Sequence, residues 1–342
     1  MELSERRKQI LATIVQTYVQ TGEPVGSKAL CDTLGGVSSA TIRNEMGYLA
    51  ENGYLTQPHT SAGRIPTNRA YRLYIDNLMP KRLPADGVMA QIRDMMPDPS
   101  TDGERALYQA AQALSKATGC AALFTVRADE GTLIHKVELI PMSPNRALVV
   151  IVTSSGTVVS RVYNFALTLT SDLISRFVAL AEENLVGQEL SSVQPATLQT
   201  IVARAGQYAL ELTEPIAALG EIIEELASAK LQLVGETRLL SHHGVTLSKA
   251  HELFDLFSRG DEVLAMLDAW DKESGVILGG DTAYTALDRS SLVLAKYAMG
   301  TTSGYIGIIG PTRMNYEKLL PCIYYFAQLL GEFNSDQTKG MI

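Results

Sequence analysis

Apolar residues in the N-terminal part of the chain recur in three short helical stripes followed by a brief extended run. Leu3, Arg7, Ile10, Leu11, Ile14 and Tyr18 form an amphipathic first helix, which Gly22 and Pro24 stop. A second, shorter helix opens near Ser27 and gives way to Gly35-Gly36. In a third, Ile42, Met46 and Leu49 fall on one face at about 100° per residue and would pack on the helices before it. Ser38 can cap that helix by taking an orphan N–H, which places Ser39 in its first turn. Tyr54-Leu55-Thr56-Gln57 reads as a strand, Ser61-Ala62-Gly63 as a turn, and Pro66 ends the pairing. This order is that of a helix-turn-helix with a β-hairpin wing.

Farther on, Asn68 to Met79 reads as a helix, interrupted by Pro80 and Pro84, and a short helix carries Val88, Ile92 and Met95. Pro97 to Gly103 has linker composition. A helix from about Glu104 to Thr118 leads into alternating strands at 120–126, 133–140, 147–152 and 158–165. From Ser171 to Trp270 the period turns helical, with helices around Leu173–Ala181, Ile216–Leu231, Leu253–Phe257 and Val263–Leu267. Strands return at 276–278, 292–297 and 305–309 before a closing helix from Tyr316 to about Leu330. Strands, helices and strands again predict an α+β chain in which one sheet is interrupted by a helical insertion. A structureless loop of that length would be unusual, so the insertion should fold as its own unit.

Charge divides the chain. Residues 1–83 hold ten Lys and Arg against seven Asp and Glu, a net of +3; the whole is −8, leaving −11 for the remainder. A basic head on an acidic body fits a specific nucleic-acid binder whose remainder senses or assembles, and argues against a packaging protein, which would be basic throughout. A length of 342 residues implies more than one core. Three widely spaced cysteines, Cys31, Cys120 and Cys322, suit a reducing cytoplasm and form no metal motif. No stretch approaches the roughly 20 uninterrupted apolar residues of a membrane span, and no export segment is evident. A cytoplasmic location is expected.

The candidate chemistry lies on the third helix. Ala40, Thr41, Arg43, Asn44, Gly47 and Tyr48 stand opposite its apolar face. Arginine can bond guanine edges bidentately and asparagine adenine, while small residues allow close approach in a major groove. Arg64 beside the hairpin turn suits phosphate or a narrow minor groove. The expected DNA-binding set is therefore Ser27, Lys28, Ser39, Ala40, Thr41, Arg43, Asn44, Tyr48, Ser61, Gly63 and Arg64. A winged helix can instead serve as a protein-binding module, with these side chains merely solvated. The Arg6-Arg7-Lys8 run could likewise reach a phosphate or simply face water.

An enzyme is the rival class. His242, His243 and His251 lack the spacing of a metal face, and no metal site or cofactor is expected. Gly304, Gly307 and Gly310 recur every third residue, which is not a dinucleotide fingerprint, and Glu224-Glu225 reads as a solvated helix face. No nucleophile elbow or phosphate loop occurs. A further alternative is a regulator whose sheet domain encloses a small-molecule effector.

Several segments carry a family resemblance. Gly26-Ser-Lys-Ala-Leu30, Ser39-Ala-Thr-Ile-Arg-Asn-Glu-Met46, Leu49-Ala-Glu-Asn-Gly-Tyr-Leu55, Thr60-Ser-Ala-Gly-Arg-Ile-Pro-Thr67 and Gly307-Ile-Ile-Gly-Pro-Thr-Arg-Met314 with Tyr316 resemble the HrcA family, bacterial heat-inducible repressors of chaperone operons. The chain departs from the family pattern at Gly279-Gly280-Asp281 and at Pro80-Lys-Arg-Leu-Pro84. The resemblance implies a winged-helix domain (1–79), a helical linker (80–103), a discontinuous GAF-like domain (104–170 and 276–335) and an inserted dimerising domain (171–275). It also implies a homodimer on an inverted-repeat (CIRCE-type) DNA operator before groE and dnaK, inactivated by heat stress, with activity maintained by the GroEL chaperonin.

Overall fold

The structure, a computed structural model, describes residues 3–59, 62–80, 82–98, 103–128, 131–241, 246–300 and 302–332. Two compact units are present: Met1–Thr125 with Leu231–Met299 and Gly304–Ile342, and Val126–Lys230 with Gly300–Ser303.

The first unit begins with the winged helix. Helix α1 (Glu5–Thr21) ends where Gly22, at φ 75°, donates its N–H back to the Tyr18 carbonyl. Helices α2 (Ser27–Leu34) and α3 (Ser39–Glu51) follow, and the Ser38 hydroxyl accepts the Thr41 N–H at 3.2 Å, the cap its sequence predicts. The three helices pack together and bury Ile10, Leu11, Ile14, Leu30, Ile42 and Leu49. Strands β1 (Leu55–Thr56) and β2 (Ile65–Pro66) pair antiparallel, Leu55 opposite Pro66. Helix α4 (Asn68–Leu73) opens on a Thr67 cap and continues as a π turn, Tyr74–Leu78, where the Met79 N–H donates to the Tyr74 carbonyl at 2.7 Å. The apolar period had predicted one helix to Met79; the wider turn instead brings both Tyr74 and Ile75 into the interior.

Helices α5 (Asp86–Asp94) and α6 (Gly103–Thr118) lead to β3 (Ala121–Ala128). The second unit then builds an antiparallel sheet from β4 (Ile134–Ser143), β5 (Arg146–Thr153) and β6 (Val158–Asn164). Its helices are α7 (Ser171–Asn184), α8 (Pro195–Arg204) and α9 (Ala209–Ala227). Alternation along β5 is strict: Ala147, Val149, Ile151 and Thr153 are buried, the residues between them are not. That buried row shares a core with Phe177, Leu180, Leu212, Ile216 and Leu219 of the helices.

The chain returns to the first unit through β7 (Lys230–Val234), α10 (Thr237–Ser241), α11 (Leu247–Ser258), α12 (Gly260–Trp270), β8 (Ser274–Leu278), β9 (Ser290–Met299), β10 (Thr302–Pro311) and α13 (Tyr316–Glu332). A five-stranded sheet runs in the order β7-β3-β10-β9-β8. Leu253, Leu256, Phe257, Val263 and Leu267 pack against its residues Leu123, Ile277, Leu292, Leu294 and Ile309.

Three expectations are corrected. The insertion spans 126–230 rather than 171–275, because β4–β6 pair with one another and bury one face under α7 and α9, while α11 and α12 belong to the five-stranded sheet. Of the strands before residue 170, β3 alone joins that sheet. The helix placed at Ile216–Leu231 is Ala209–Ala227, running through Pro215, and Lys230–Val234 is a strand. A buried apolar stripe on both sides of Pro215, from Leu212 to Ile223, carries the helix through the proline.

Candidate nucleic-acid interface

Helix α3 is held by its buried row Ile42, Met46 and Leu49, so its orientation in the head is set by packing rather than by the side chains that face outward. Ala40, Arg43 and Asn44 are exposed, and Thr41 and Tyr48 are half-buried. Among the described residues, Arg43 and Asn44 form no side-chain hydrogen bond or ion pair. Both ends of that outward surface are braced. The Thr41 hydroxyl lies 2.9 Å from the Ser38 hydroxyl at the cap. Near the other end, the Arg7 guanidinium lies 3.4 Å from the Tyr48 ring centre, and its Nε donates to Glu45 at 2.7 Å.

These contacts separate the basic run at the N-terminus. Arg7 is tied to α3, Lys8 pairs with Glu5 at 2.8 Å, and Arg6 is left exposed with no such partner among the described residues. Among the described residues, the run therefore leaves Arg6 without an ion-pair partner. Its neighbour Arg7 has a positioning role that sequence reasoning missed; the signal available was Glu45, the acid on α3 able to receive it.

The remaining candidates divide further. Ser27 is nearly buried, its hydroxyl 2.9 Å from that of Ser39, so this pair joins the start of α2 to the first turn of α3. Lys28 is exposed. Ser61 lies outside the described residues. Gly63 is required by close approach: a Cβ there would lie 2.5 Å from the Val25 carbonyl. That approach allows the antiparallel bridge in which Val25 and Arg64 exchange backbone hydrogen bonds, each at 2.9 Å. Arg64 is half-buried, and its guanidinium donates to the Gln57 side-chain oxygen, while Gln57 Nε2 donates to the Ala62 carbonyl at 2.9 Å. The sequence reading had Arg64 projecting from the hairpin; in the structure it lies across the wing. Arg69, which that reading passed over, donates to the Asn52 carbonyl at 2.9 Å and stacks on Tyr54 at 4.5 Å.

The groups weighed for catalysis are accounted for otherwise. His251 is exposed, 3.8 Å from Asp255, while His242 and His243 lie outside the described residues. Glu225 pairs with Arg161 and with Lys230. Burial pushes the Cys120 thiol up to about 11, away from thiolate chemistry at neutral pH. Gly304 and Gly307 sit where a Cβ would meet the Thr125 and Val293 carbonyls at 2.2 and 2.1 Å, so the three-residue spacing reflects crowding within the sheet.

A winged helix whose reading helix presents unpaired Arg and Asn, carried on an α+β body, defines a DNA-binding transcription regulator of the winged-helix class. Residues 2–78 match the family described as winged helix-turn-helix transcription repressor, HrcA DNA-binding, and residues 104–320 match the HrcA protein C-terminal domain. The chain belongs to the HrcA family, whose members are transcription repressors and not enzymes. It is 32% identical over 337 residues to the heat-inducible transcription repressor HrcA of Methylobacillus flagellatus, covering 96% of this chain and 98% of that one. The corresponding repressor of Acetivibrio thermocellus is 32% identical over 338 residues, covering 97% and 96%. A crystal structure described as a hypothetical protein at 2.2 Å resolution shares the fold, with a TM-score of 0.62 at 23% identity over 98% of this chain and 99% of that one. Among the described residues, no helix is long and apolar enough to cross a membrane.

Proposed function

We propose that this protein is a cytoplasmic, heat-inactivated repressor of the groE and dnaK chaperone operons, binding an inverted-repeat (CIRCE-type) operator as a homodimer, with GroEL maintaining its activity. The observation that carries the reading is the free outward surface of α3, where Arg43 and Asn44 stand unpaired and exposed on a helix fixed from behind. Of the residues assigned to DNA, Ala40, Arg43 and Asn44 suit base edges, and Lys28 and Arg6 suit phosphates. Ser27, Ser39, Tyr48 and Gly63 act by shaping the head. Arg64 reaches DNA by exchanging Gln57 for a phosphate.

The homodimer is supported by the outer face of the three-stranded sheet. Ile140, Leu148 and Val162 stand in register across the strands, as do Val152 and Val158. Ile140, Val158 and Val162 are 47%, 61% and 41% exposed, apolar side chains on a face that also carries the Lys136–Glu138 ion pair, and exposed apolar surface of this kind marks an interface. A two-fold operator asks for a two-fold protein, and holding two heads on one particle raises affinity by effective concentration. In the GAF-like body, Leu253, Phe257 and Leu267 fill the space against the sheet, which favours a repressor over an effector sensor.

The test is a footprint of the purified protein on DNA upstream of chaperone genes, with sedimentation of the wild type and of Ile140→Asp/Val162→Lys. The expected result is a protected inverted repeat, a wild-type dimer, and a folded monomeric variant with weakened operator binding. Equal protection of unrelated DNA would reject the operator assignment; a dimeric variant would reject the sheet face.

A further inference from the structure

We propose that the DNA-reading head borrows part of its stability from the five-stranded body, with Arg313 closing the end of α1, and that the joint between them is the first contact heat opens. This rests on the reading above of the protein as a heat-inactivated repressor.

Head and sheet belong to one compact unit. The docking side of the head, formed by α1, α4 and the π turn, meets β8, the 279–281 turn and the start of α13. Arg72 donates through Nε to Asp281 at 2.8 Å and through another nitrogen to the Val276 carbonyl at 3.0 Å. Beside it, Gly280 closes on the first residue of α4: a Cβ there would lie 1.6 Å from Asn68 Nδ2. The Tyr71 and Tyr316 rings meet edge to face, centroids 6.1 Å apart. Tyr74 accepts from Gln16 at 3.3 Å and donates to Glu317 at 3.5 Å.

The body also supplies what α1 lacks. The C-terminal end of a helix carries partial negative charge and favours a cation, yet α1 has no basic residue in its last turn. Arg313, between β10 and α13, brings its guanidinium there. A Cβ on Gly22 would lie 2.6 Å from its Nη1, and the Tyr18 ring centre is 6.0 Å from its central carbon. Arg313 is half-buried and forms no hydrogen bond or ion pair among the described residues, so the helix end is what its charge serves. At its other end α1 holds α3, through Arg7 and Glu45 and through a core shared with Ile42 and Leu49. Loosening α1 therefore loosens the helix that carries Arg43 and Asn44.

The joint is weaker than the cores it connects. The Tyr71 hydroxyl is buried with no hydrogen-bond partner among the described residues, a cost that docking incurs and opening removes. A cleft of about 200 Å³ lies between α1 and the start of α13, lined by Gln16, Gln20, Asn315 and Glu317 among others. In the sheet, by contrast, Leu123, Leu292, Leu294 and Ile309 are fully buried against α11 and α12. Regions with few buried apolar contacts open at lower free energy than the core of the same protein. A small domain is marginal by itself, so a head that has lost Arg313 and the α4 contacts loses the support of α3 while the sheet stays folded. Loss of DNA binding on heating is then local. It reverses on cooling, because the surface that receives the head has not unfolded.

The experiment follows the full-length protein through a temperature series, with hydrogen exchange of α1, α3, β9 and β10 and binding to a duplex carrying a single half-site. In the wild type, α1 and α3 should lose protection at a lower temperature than β9 and β10, and half-site binding should disappear with the helices. Arg313→Ala should lower the head and binding midpoints by about 3–6 °C, leaving the sheet midpoint and the low-temperature affinity as they were. Arg313→Lys keeps the cation and should stay within about 2 °C of wild type. Tyr71→Phe removes the unpaired hydroxyl and should raise the head midpoint. Loss of head and sheet protection at one temperature in the wild type would overturn the inference, as would an Arg313→Ala head midpoint equal to that of the wild type. If the exchange behaves as expected while the half-site is never bound, the joint stands and the DNA assignment fails separately.

Discussion

The winged helix has two surfaces that look alike in composition and differ in their partners. On the side of α1 and α4, three arginines are occupied, Arg7 by Glu45 and Tyr48, Arg69 by Asn52 and Tyr54, and Arg72 by Asp281, while Arg6 has no partner among the described residues. On the outward side of α3, Arg43 has no protein partner among the described residues, and neither does Asn44. A guanidinium whose donors are already used gains little from DNA, because each new bond replaces an existing one. A free one exchanges water for a base edge or phosphate. Net charge alone cannot separate these cases; partner geometry can.

The sharpest test of that contrast uses the docking side. Tyr316 is fully buried, its hydroxyl 2.8 Å from Ser291 and 2.5 Å from the Thr312 carbonyl. Tyr316→Ala should cost about 3–5 kcal/mol of stability in denaturant unfolding, while half-site affinity below the transition stays near wild type. A large loss of half-site affinity in the folded variant would mean that the two sides are not independent.

Next in size is the reading side. Arg43→Ala and Asn44→Ala should each lower operator affinity by about 1–3 kcal/mol and relax preference at one position per half-site. Thermal stability should move by no more than about 0.5 kcal/mol, since neither side chain contacts the fold. Equal weakening on operator and random DNA would reassign them to phosphates.

The cap between these surfaces gives a smaller effect. Ser38→Ala removes the acceptor of the Thr41 N–H and should destabilise the head by about 1 kcal/mol, seen as a lower midpoint for head unfolding. Ser38→Asp, which keeps an acceptor, should not. The smallest change is at the wing. Arg64→Ala should reduce the salt slope of operator binding by about one unit per half-site if Arg64 leaves Gln57 for a phosphate. An unchanged slope with unchanged affinity would place it with the occupied arginines.

Much of this was legible in the order of residues. The i, i+4, i+7 row Ile42, Met46, Leu49, the Ser38 cap and the short strands around the wing follow from local periodicity and capping chemistry, and the structure places them as read. The α+β character and most element positions follow in the same way. The partition of the sheets did not. Alternation in β3 and in β4–β6 is equally clear along the chain, and nothing local states that β3 pairs with β10 while β4–β6 pair among themselves. Strand β7, Lys230-Leu-Gln-Leu-Val234, was missed because the helical reading was carried on to Leu231, past the break at Ser228 and over the first of its alternating residues.

By itself, then, the sequence determined what each segment could be: which face of a helix is apolar, where a cap or a glycine turn ends it, and which helix carries groups able to read bases. These are properties of neighbours within a few positions, set by backbone geometry and side-chain size. Tertiary structure alone decided which of those groups remain available. Arg7 and Glu45 are 38 positions apart, and Arg72 and Asp281 are 209 apart. Partnership at such separations is decided when distant elements pack, because only burial of their apolar faces brings the charged ends within hydrogen-bond distance.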